Sequence, residues 1–392
     1  MKIAQNHSAL RYFVNILPIL AILLFSSLNA TPSNCETEIF KIDRDFLSSN
    51  FSKCEVLEKN SIRLYLSPED NFVSNPSPWF AFRKSAHQEE IYIELFYEKF
   101  EHRYHPKISN DLINWKKIDM DKVKIEDNGK KVILTFKANS DYTYISAQEI
   151  LSSAWYDSWY EIIRDIKNVT ISELGNTSGG RSINKILIEN DFENPYIFLI
   201  GRQHPPEITG AFALKAFIEQ ILDDNALSDD FLNNYNIISY PLVNPDGVDL
   251  GHWRHNLREK DLNRDWGFFS QIETSIIYDD IRKILNDNEI VLMIDFHSTF
   301  KNIFYIQDEL ETAGYNFAQA WLLEHSSDRN DYKFAIKPTK NMENGVAKNY
   351  FNSSYGIPAI TFEVGDDTDR AAIINSSKNL ANSMMRLLLE NN

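Results

Sequence analysis

Tyr196-Ile-Phe-Leu-Ile-Gly-Arg-Gln-His-Pro-Pro-Glu207 is the stretch whose reading decides the fold of this 392-residue chain. Tyr196 to Gly201 is an apolar run of the length of a buried strand. From Glu207 to Leu222 apolar residues recur at helical spacing, with prolines placed where a first turn tolerates them. His204 therefore leaves a strand tip and Glu207 projects from the first helical turn. Both face the crevice beyond the carboxyl ends of the strands. An imidazole and a carboxylate three residues apart can share one cation there. Alone, such a pair reads equally well as a surface His beside a Glu that favours the helix dipole.

Two further strand tips change the balance. Val291-Leu-Met-Ile-Asp-Phe-His297-Ser-Thr is a second buried-strand pattern ending in a His. Ile357-Pro-Ala-Ile-Thr-Phe-Glu363 is a third, ending in a carboxylate. His204, Glu207 and His297 make a three-ligand zinc set that leaves a fourth position open, the arrangement of a catalytic rather than a structural site. Glu363, outside that set, suits a general base that takes a proton from an attacking water. Arg254 is a cation available to an oxyanion. Arg264 with the Asn263 amide offers a planar fork of donors for a terminal carboxylate.

These motifs, taken in order, resemble the M14 family of zinc carboxypeptidases, and within it the cytosolic-carboxypeptidase-like branch. The likeness runs from about Tyr160 to Glu363. It begins at Leu174-Gly-Asn-Thr-Ser-Gly-Gly-Arg181 and continues through Gly201-Arg-Gln-His204-Pro-Pro-Glu207 and Pro241-Leu-Val-Asn-Pro-Asp-Gly247. Arg254-His-Asn256, Asp261-Leu-Asn263-Arg264, His297 and Thr361-Phe-Glu363 complete it. The resemblance implies one Zn2+ held by His204, Glu207 and His297, with Glu363 as base. It implies Arg254 at the oxyanion, and Asn263 and Arg264 on the carboxylate of a peptide-like substrate with a free C-terminus.

Each residue has a competing reading. Taken singly, Arg254 and Arg264 are ordinary surface arginines and Glu363 a paired structural acid. His252 and His255 read as loop residues, and His102 and His105 as solvated ones. Asp295, two before His297, faces the same side of its strand and either orients that ligand or is a structural acid. Lys348 stands before Glu363 where a cation would favour an acidic terminal side chain; a solvated lysine on the helix-like 344–351 stretch is the alternative. The family's tyrosine upstream of the base has no motif here, although Tyr350 and Tyr355 are nearby. Arg258-Glu-Lys260 fills a position where the family often has glycine.

A net charge of −16 argues against general nucleic-acid or anionic-membrane binding. Hydrophobic content of 43 % is that of a globular protein. Lys2 and Arg11, the apolar Tyr12 to Phe25 run and Ser26-Ser-Leu-Asn-Ala30 form a signal-peptide pattern over residues 1–30. A secreted or periplasmic protein with no stable membrane association after cleavage is expected. The two cysteines, Cys35 and Cys54, then read as one disulfide.

Between the leader and the hydrolytic part, Ile62-Arg-Leu-Tyr-Leu66, Trp79-Phe-Ala-Phe-Arg83, Ile91 to Tyr97 and Val132 to Phe136 alternate in polarity, with turn-forming stretches between them. This predicts an antiparallel β-sandwich over 31–152. Residues 153–392, with alternating helices and strands, predict an α/β domain with a mixed, largely parallel sheet flanked by helices. Pro78-Trp-Phe-Ala-Phe-Arg83 and Arg103-Tyr-His-Pro-Lys107 resemble motifs of the branch's preceding domain. The expectation is an exported zinc metallocarboxypeptidase. Its rivals are a zinc amidase or deacylase acting on cell-wall peptides or N-acyl amino acids, and a catalytically silent binding protein. Oligomeric state is not legible.

Overall fold

Alternating polarity produces the N-terminal strands. Along Ser61–Leu66 the side chains Ile62, Leu64 and Leu66 are buried and their neighbours half-buried, the period of two that a one-sided sheet requires. The computed structural model describes residues 34–286, 288–308, 312–326, 332–340 and 344–390. The leader pattern at 1–30 lies outside them. The strands before the first helix are β1 (Asn34–Glu36), β2 (Lys41–Asp43), β3 (Lys53–Glu58), β4 (Ser61–Leu66), β5 (Ala81–Lys84) and β6 (Ile91–Tyr97). They continue as β7 (Lys107–Ser109), β8 (Lys116–Lys117), β9 (Val123–Glu126), β10 (Lys131–Phe136) and β11 (Thr143–Ser146).

Two sheets form, in the orders β1-β2-β5-β11-β7-β8 and β3-β4-β6-β10-β9. The pairing is antiparallel except between β4 and β6, which run parallel, Ile62 opposite Ile93. The sequence reading expected antiparallel pairs throughout. The exception arises because the chain crosses to the other sheet as β5 before returning, so β6 re-enters in the direction of β4. Cys35 and Cys54 are bonded, with their Cα atoms 6.1 Å apart, and tie β1 of one sheet to β3 of the other.

The second half opens with α1 (Ser153–Ile163), then β12 (Val169–Asn176), β13 (Ser182–Ile188), β14 (Tyr196–Gly201) and α2 (Ile208–Ile221). Next come α3 (Ala226–Asn234), β15 (Asn236–Tyr240), α4 (Pro245–Leu250), α5 (Ile272–Leu285) and β16 (Ile290–Thr299). The remainder is β17 (Ile303–Gln307), α6 (Thr312–Ser326), β18 (Ala335–Thr339), α7 (Ala347–Tyr355), β19 (Ala359–Gly365) and α8 (Arg370–Glu390). The eight-stranded sheet has the order β12-β13-β15-β14-β16-β19-β17-β18. Its central strands β15, β14, β16 and β19 are mutually parallel, so their carboxyl ends share one edge.

Both faces of that sheet are covered, which is why its central strands are buried along nearly their whole length and rich in apolar residues. On β14, Ile197 and Leu199 join the core shared with α2 and α8, while Tyr196, Phe198 and Ile200 join a second core with α5 and α7. The first core is continuous with the interior of the sandwich, through residues such as Leu64, Phe80 and Trp253. Pro32–Asn392 is accordingly one compact unit. No helix among the described residues is long and apolar enough to cross a membrane.

Candidate metal centre and active-site cleft

Three parallel strand tips and one helix start converge. His204 follows β14, Glu207 immediately precedes α2, and His297 on β16 stands in register with Glu363 on β19. Gly210 makes the approach of α2 possible: a Cβ there would lie 2.6 Å from the His297 carbonyl oxygen. Its amide and the Thr209 hydroxyl both donate to Ser298 Oγ, at 2.9 and 2.8 Å. The helix start is thereby fastened to the strand that carries His297.

The buried Glu207 carboxylate bridges the imidazoles. Oε1 lies 2.8 Å from His204 Nδ1 and Oε2 lies 2.7 Å from His297 Nδ1. A potential ligand atom from each of the three residues lies within 4.8 Å of the others. The distal nitrogens are held by acids: His204 Nε2 is 2.9 Å from Asp261 Oδ1, and His297 Nε2 is 2.7 Å from Asp295 Oδ2. Two imidazoles presenting Nδ1 atoms, oriented by carboxylates on their Nε2 atoms and accompanied by a third carboxylate, are a donor set that fits one Zn2+. Burial opposes ionisation of Glu207, but His204 and His297 hold its carboxyl well below the usual range.

Glu363 has a different environment. The residue is half-buried at the cleft wall, yet its Oε2 is fully buried and has no hydrogen-bond partner among the described residues. Burial pushes its carboxyl up to about 7, with Glu207 adding to the effect and the His297 and His204 imidazoles opposing it. An ion pair would satisfy a structural acid, and none holds this oxygen among the described residues.

The walls of the cleft, a cavity of about 500 Å³, include the cations Arg103, Arg254, Arg264, Lys340 and Lys348. Arg254 Nε donates to Asp261 Oδ2 at 2.7 Å, so Asp261 orients both a candidate ligand and a candidate oxyanion cation. Asn263 presents its amide beside His297 Nε2 at 3.2 Å, while its Oδ1 accepts from the Ala347 amide at 2.8 Å. Arg264 Nη1 donates to the Asn263 carbonyl at 2.7 Å. Gly345, with φ of +88°, lets its turn press on the Arg264 backbone, where a Cβ would come within 2.4 Å.

His204, Glu207, His297, Glu363, Arg254, Asn263 and Arg264 therefore all line one cleft. Lys348, at 3 % exposure, is buried in its wall, so the solvated alternative does not hold. Tyr350 and Tyr355 pack with Trp266 and Phe351 away from the lining; the tyrosine of the cleft is Tyr305 on β17, opposite Thr361. His102 and His105 are half-buried rather than fully solvated: His102 Nδ1 lies 2.8 Å from the Tyr97 hydroxyl, and His105 Nε2 lies 2.6 Å from the Ile118 carbonyl. In the Arg258-Glu-Lys260 stretch, Glu259 takes the left-handed conformation that a glycine would adopt freely, with φ of 59°. Asn256 Oδ1 accepts the flanking Arg258 and Lys260 amides, both at 3.0 Å.

Sequence reasoning missed Asp261's double contact and the contribution of the sandwich. Asn75, Ser77 and Arg103 come from the N-terminal half and line the cleft. Arg103 lies over the Phe300 ring at 4.2 Å and pairs with Asp366 at 2.7 Å. Glu69 accepts the main-chain amides of Trp253, Arg254 and His255, at 2.7, 2.9 and 2.5 Å, and so holds the Arg254 loop from the sandwich side. The Arg103-Tyr-His-Pro motif was visible, but nothing local pointed it at the cleft.

The zinc carboxypeptidase (Peptidase M14) profile matches residues 156–378. Cytosolic carboxypeptidase 3 of Mus musculus is 25 % identical over 326 residues, covering 71 % of this chain and 31 % of that protein. Cytosolic carboxypeptidase 1 of Homo sapiens is 29 % identical over 147 residues, 35 % of this chain and 12 % of the relative. This chain thus spans a third or less of the length of these relatives. In fold, it is similar to a metallo-carboxypeptidase from Burkholderia cenocepacia, with TM-score 0.72, 18 % identity, and 90 % of this chain and 98 % of the other covered. A metallo-carboxypeptidase from Pseudomonas aeruginosa, solved with (2-guanidinoethylmercapto)succinic acid, gives TM-score 0.71 at 18 % identity, covering 90 % and 100 % of the two chains. With more than half its length matched by that profile and its strand tips carrying the required donors, the chain belongs to the zinc carboxypeptidase (M14) family.

Proposed function

We propose that this protein removes the C-terminal residue of peptides by metal-assisted hydrolysis, with Glu363 as general base. The observation that carries the reading is the pairing of the His204–Glu207–His297 set with the buried Glu363 Oε2, unpartnered among the described residues, across adjacent strand tips. Zinc held by those three residues would polarise the scissile carbonyl and lower the pKa of the attacking water. Glu363 takes the proton from that water and later hands it to the leaving amine. Arg254, fixed by Asp261, stabilises the oxyanion. Asn263 and Arg264 grip the terminal carboxylate, which selects exopeptidase over endopeptidase action. Lys348, buried in the same wall, favours an acidic terminal side chain.

The test is release of C-terminal residues from a mixed peptide library by the zinc-loaded protein, with and without chelator. Chelator-sensitive trimming enriched in glutamate and aspartate is expected. Stoichiometric zinc with no residue released from any peptide would overturn the reading.

Export is part of the same proposal. The leader pattern over residues 1–30 supports it, and so does the Cys35–Cys54 bond, because disulfides persist in oxidising compartments. The relatives' names call those proteins cytosolic, so the compartment needs its own measurement. N-terminal sequencing of the protein from its native host should start near Thr31; a start at Met1 in a cytosolic fraction would sink the export reading.

A further inference from the structure

A second cavity lies in the N-terminal sandwich and shares no lining residue with the cleft. Lys84, the last residue of β5, reaches its floor. The side chain is fully buried at 0 % exposure, and its Nζ has no hydrogen-bond partner among the described residues. Its nearest described aromatic neighbour is the Phe136 ring, 5.6 Å away at the end of β10. The cavity, about 280 Å³, is also lined by Lys116, Lys117, Lys122 and Lys137. Two of these have acidic partners: Lys117 pairs with Asp367 at 2.9 Å and Lys122 with Asp119 at 2.5 Å. The exposed Lys116 and Lys137 have no ion-pair partner among the described residues.

An ammonium group taken out of water without a partner is costly, and proteins rarely retain one that nothing repays. Burial pushes Lys84 down to about 8, with the charge of Asp141 opposing, so the group is still largely cationic at neutral pH. With Lys117 and Lys122 paired and Asp119 also in the wall, Lys116 and Lys137 supply the remaining positive charge at the opening, on a protein whose net charge is −16. Ile108 and Ile118 supply apolar wall between them. Such walls suit a ligand with a short apolar stem and an anionic head.

We infer that this sandwich cavity is an oxyanion-binding site, in which the Lys84 ammonium takes a carboxylate or phosphate group and Lys116 and Lys137 guard the mouth. Carboxylate and phosphate share the chemistry an ammonium recognises, and the source is decided by the probe: free phosphate, or the acidic side chains of a peptide. The site is independent of the hydrolytic reading, since none of its residues belongs to the cleft.

Calorimetric titration of the full chain with inorganic phosphate, and separately with N-acetylated, C-terminally amidated triglutamate, tests this. The variants are Lys84→Met, which keeps the buried stem, and the exposed pair Lys116→Gln/Lys137→Gln. Binding of at least one probe is expected, weakened tenfold or more by Lys84→Met and threefold or more by the surface pair. Should Lys84→Met fail to fold, the threefold loss in the surface pair carries the test. The inference is overturned if neither probe binds the wild type, or if affinity is unchanged in the folded variants, as a cavity filled only by water would give.

Discussion

In the metal-site cleft the buried imidazoles of His204 and His297 each lie between two carboxylates, whereas in the sandwich the buried ammonium of Lys84 meets no acceptor among the described residues. Glu363 is the cleft's own counterpart of Lys84, with a buried carboxylate oxygen that has no partner among the described residues. The contrast separates two uses of buried charge. Partnered groups set geometry before any ligand arrives; unpartnered ones leave a deficit that a ligand or a proton can fill.

The largest break in this contrast is removal of the carboxylate that joins the two histidines. Glu207→Ala should reduce bound zinc from one equivalent to near zero by elemental analysis and abolish peptidase activity. Retention of full zinc would show that Glu207 is not a ligand. Next is Glu363→Gln, which should keep its zinc while kcat falls by about 10²–10⁴-fold. Equal loss of zinc in that variant would move Glu363 from base to ligand.

Asp261→Asn probes the oriented side of the comparison. It should cost about 10–100-fold in metal affinity or activity, because it loosens His204 and Arg254 together. A competition assay with a chelating dye measures the metal arm.

The contact between sandwich and α8 sharpens the picture of partnered burial. Glu149 lies between Lys107 and Arg370, at 2.6 and 2.8 Å. Burial would raise its carboxyl, but Arg370 and then Lys107 depress it to about 2. Glu149→Gln should destabilise by about 3 kcal/mol at pH 7, since two cations lose their counter-charge. A depressed acid contributes stability that is complete above its unfolded value and lost as pH falls through the folded one. The difference between wild type and variant in denaturant unfolding should therefore shrink as pH drops from about 4.5 towards 2. The smallest effect is at Lys84: without added anion, Lys84→Met should stabilise by about 1 kcal/mol, as an unsatisfied buried donor is removed. A loss of stability would mean that the ammonium already has a partner.

Local patterns made much of this legible. The strands ending at His204, His297 and Glu363 were readable because both sheet faces are covered and each run is mostly apolar. The sandwich strands were readable from their period of two. The parallel β4–β6 pair was not, because direction within a sheet depends on where the chain travels between strands. His102 and His105 were misjudged because a charged neighbourhood in sequence was taken for a solvated one in space. Tyr305 was overlooked because it enters the cleft from β17, far from any motif.

Donor types, their order and their positions at strand tips were readable from the chain alone, since these follow from periodicity and residue chemistry. Only the tertiary structure decided which acids orient them, how closely α2 could approach β16 over Gly210, and that Asn75, Ser77 and Arg103 complete the cleft. It also decided that Lys84, one lysine among many in the sequence, is buried with no acceptor among the described residues. Those properties depend on contacts between residues far apart in the chain, which are set by packing of the whole and carry no local signature.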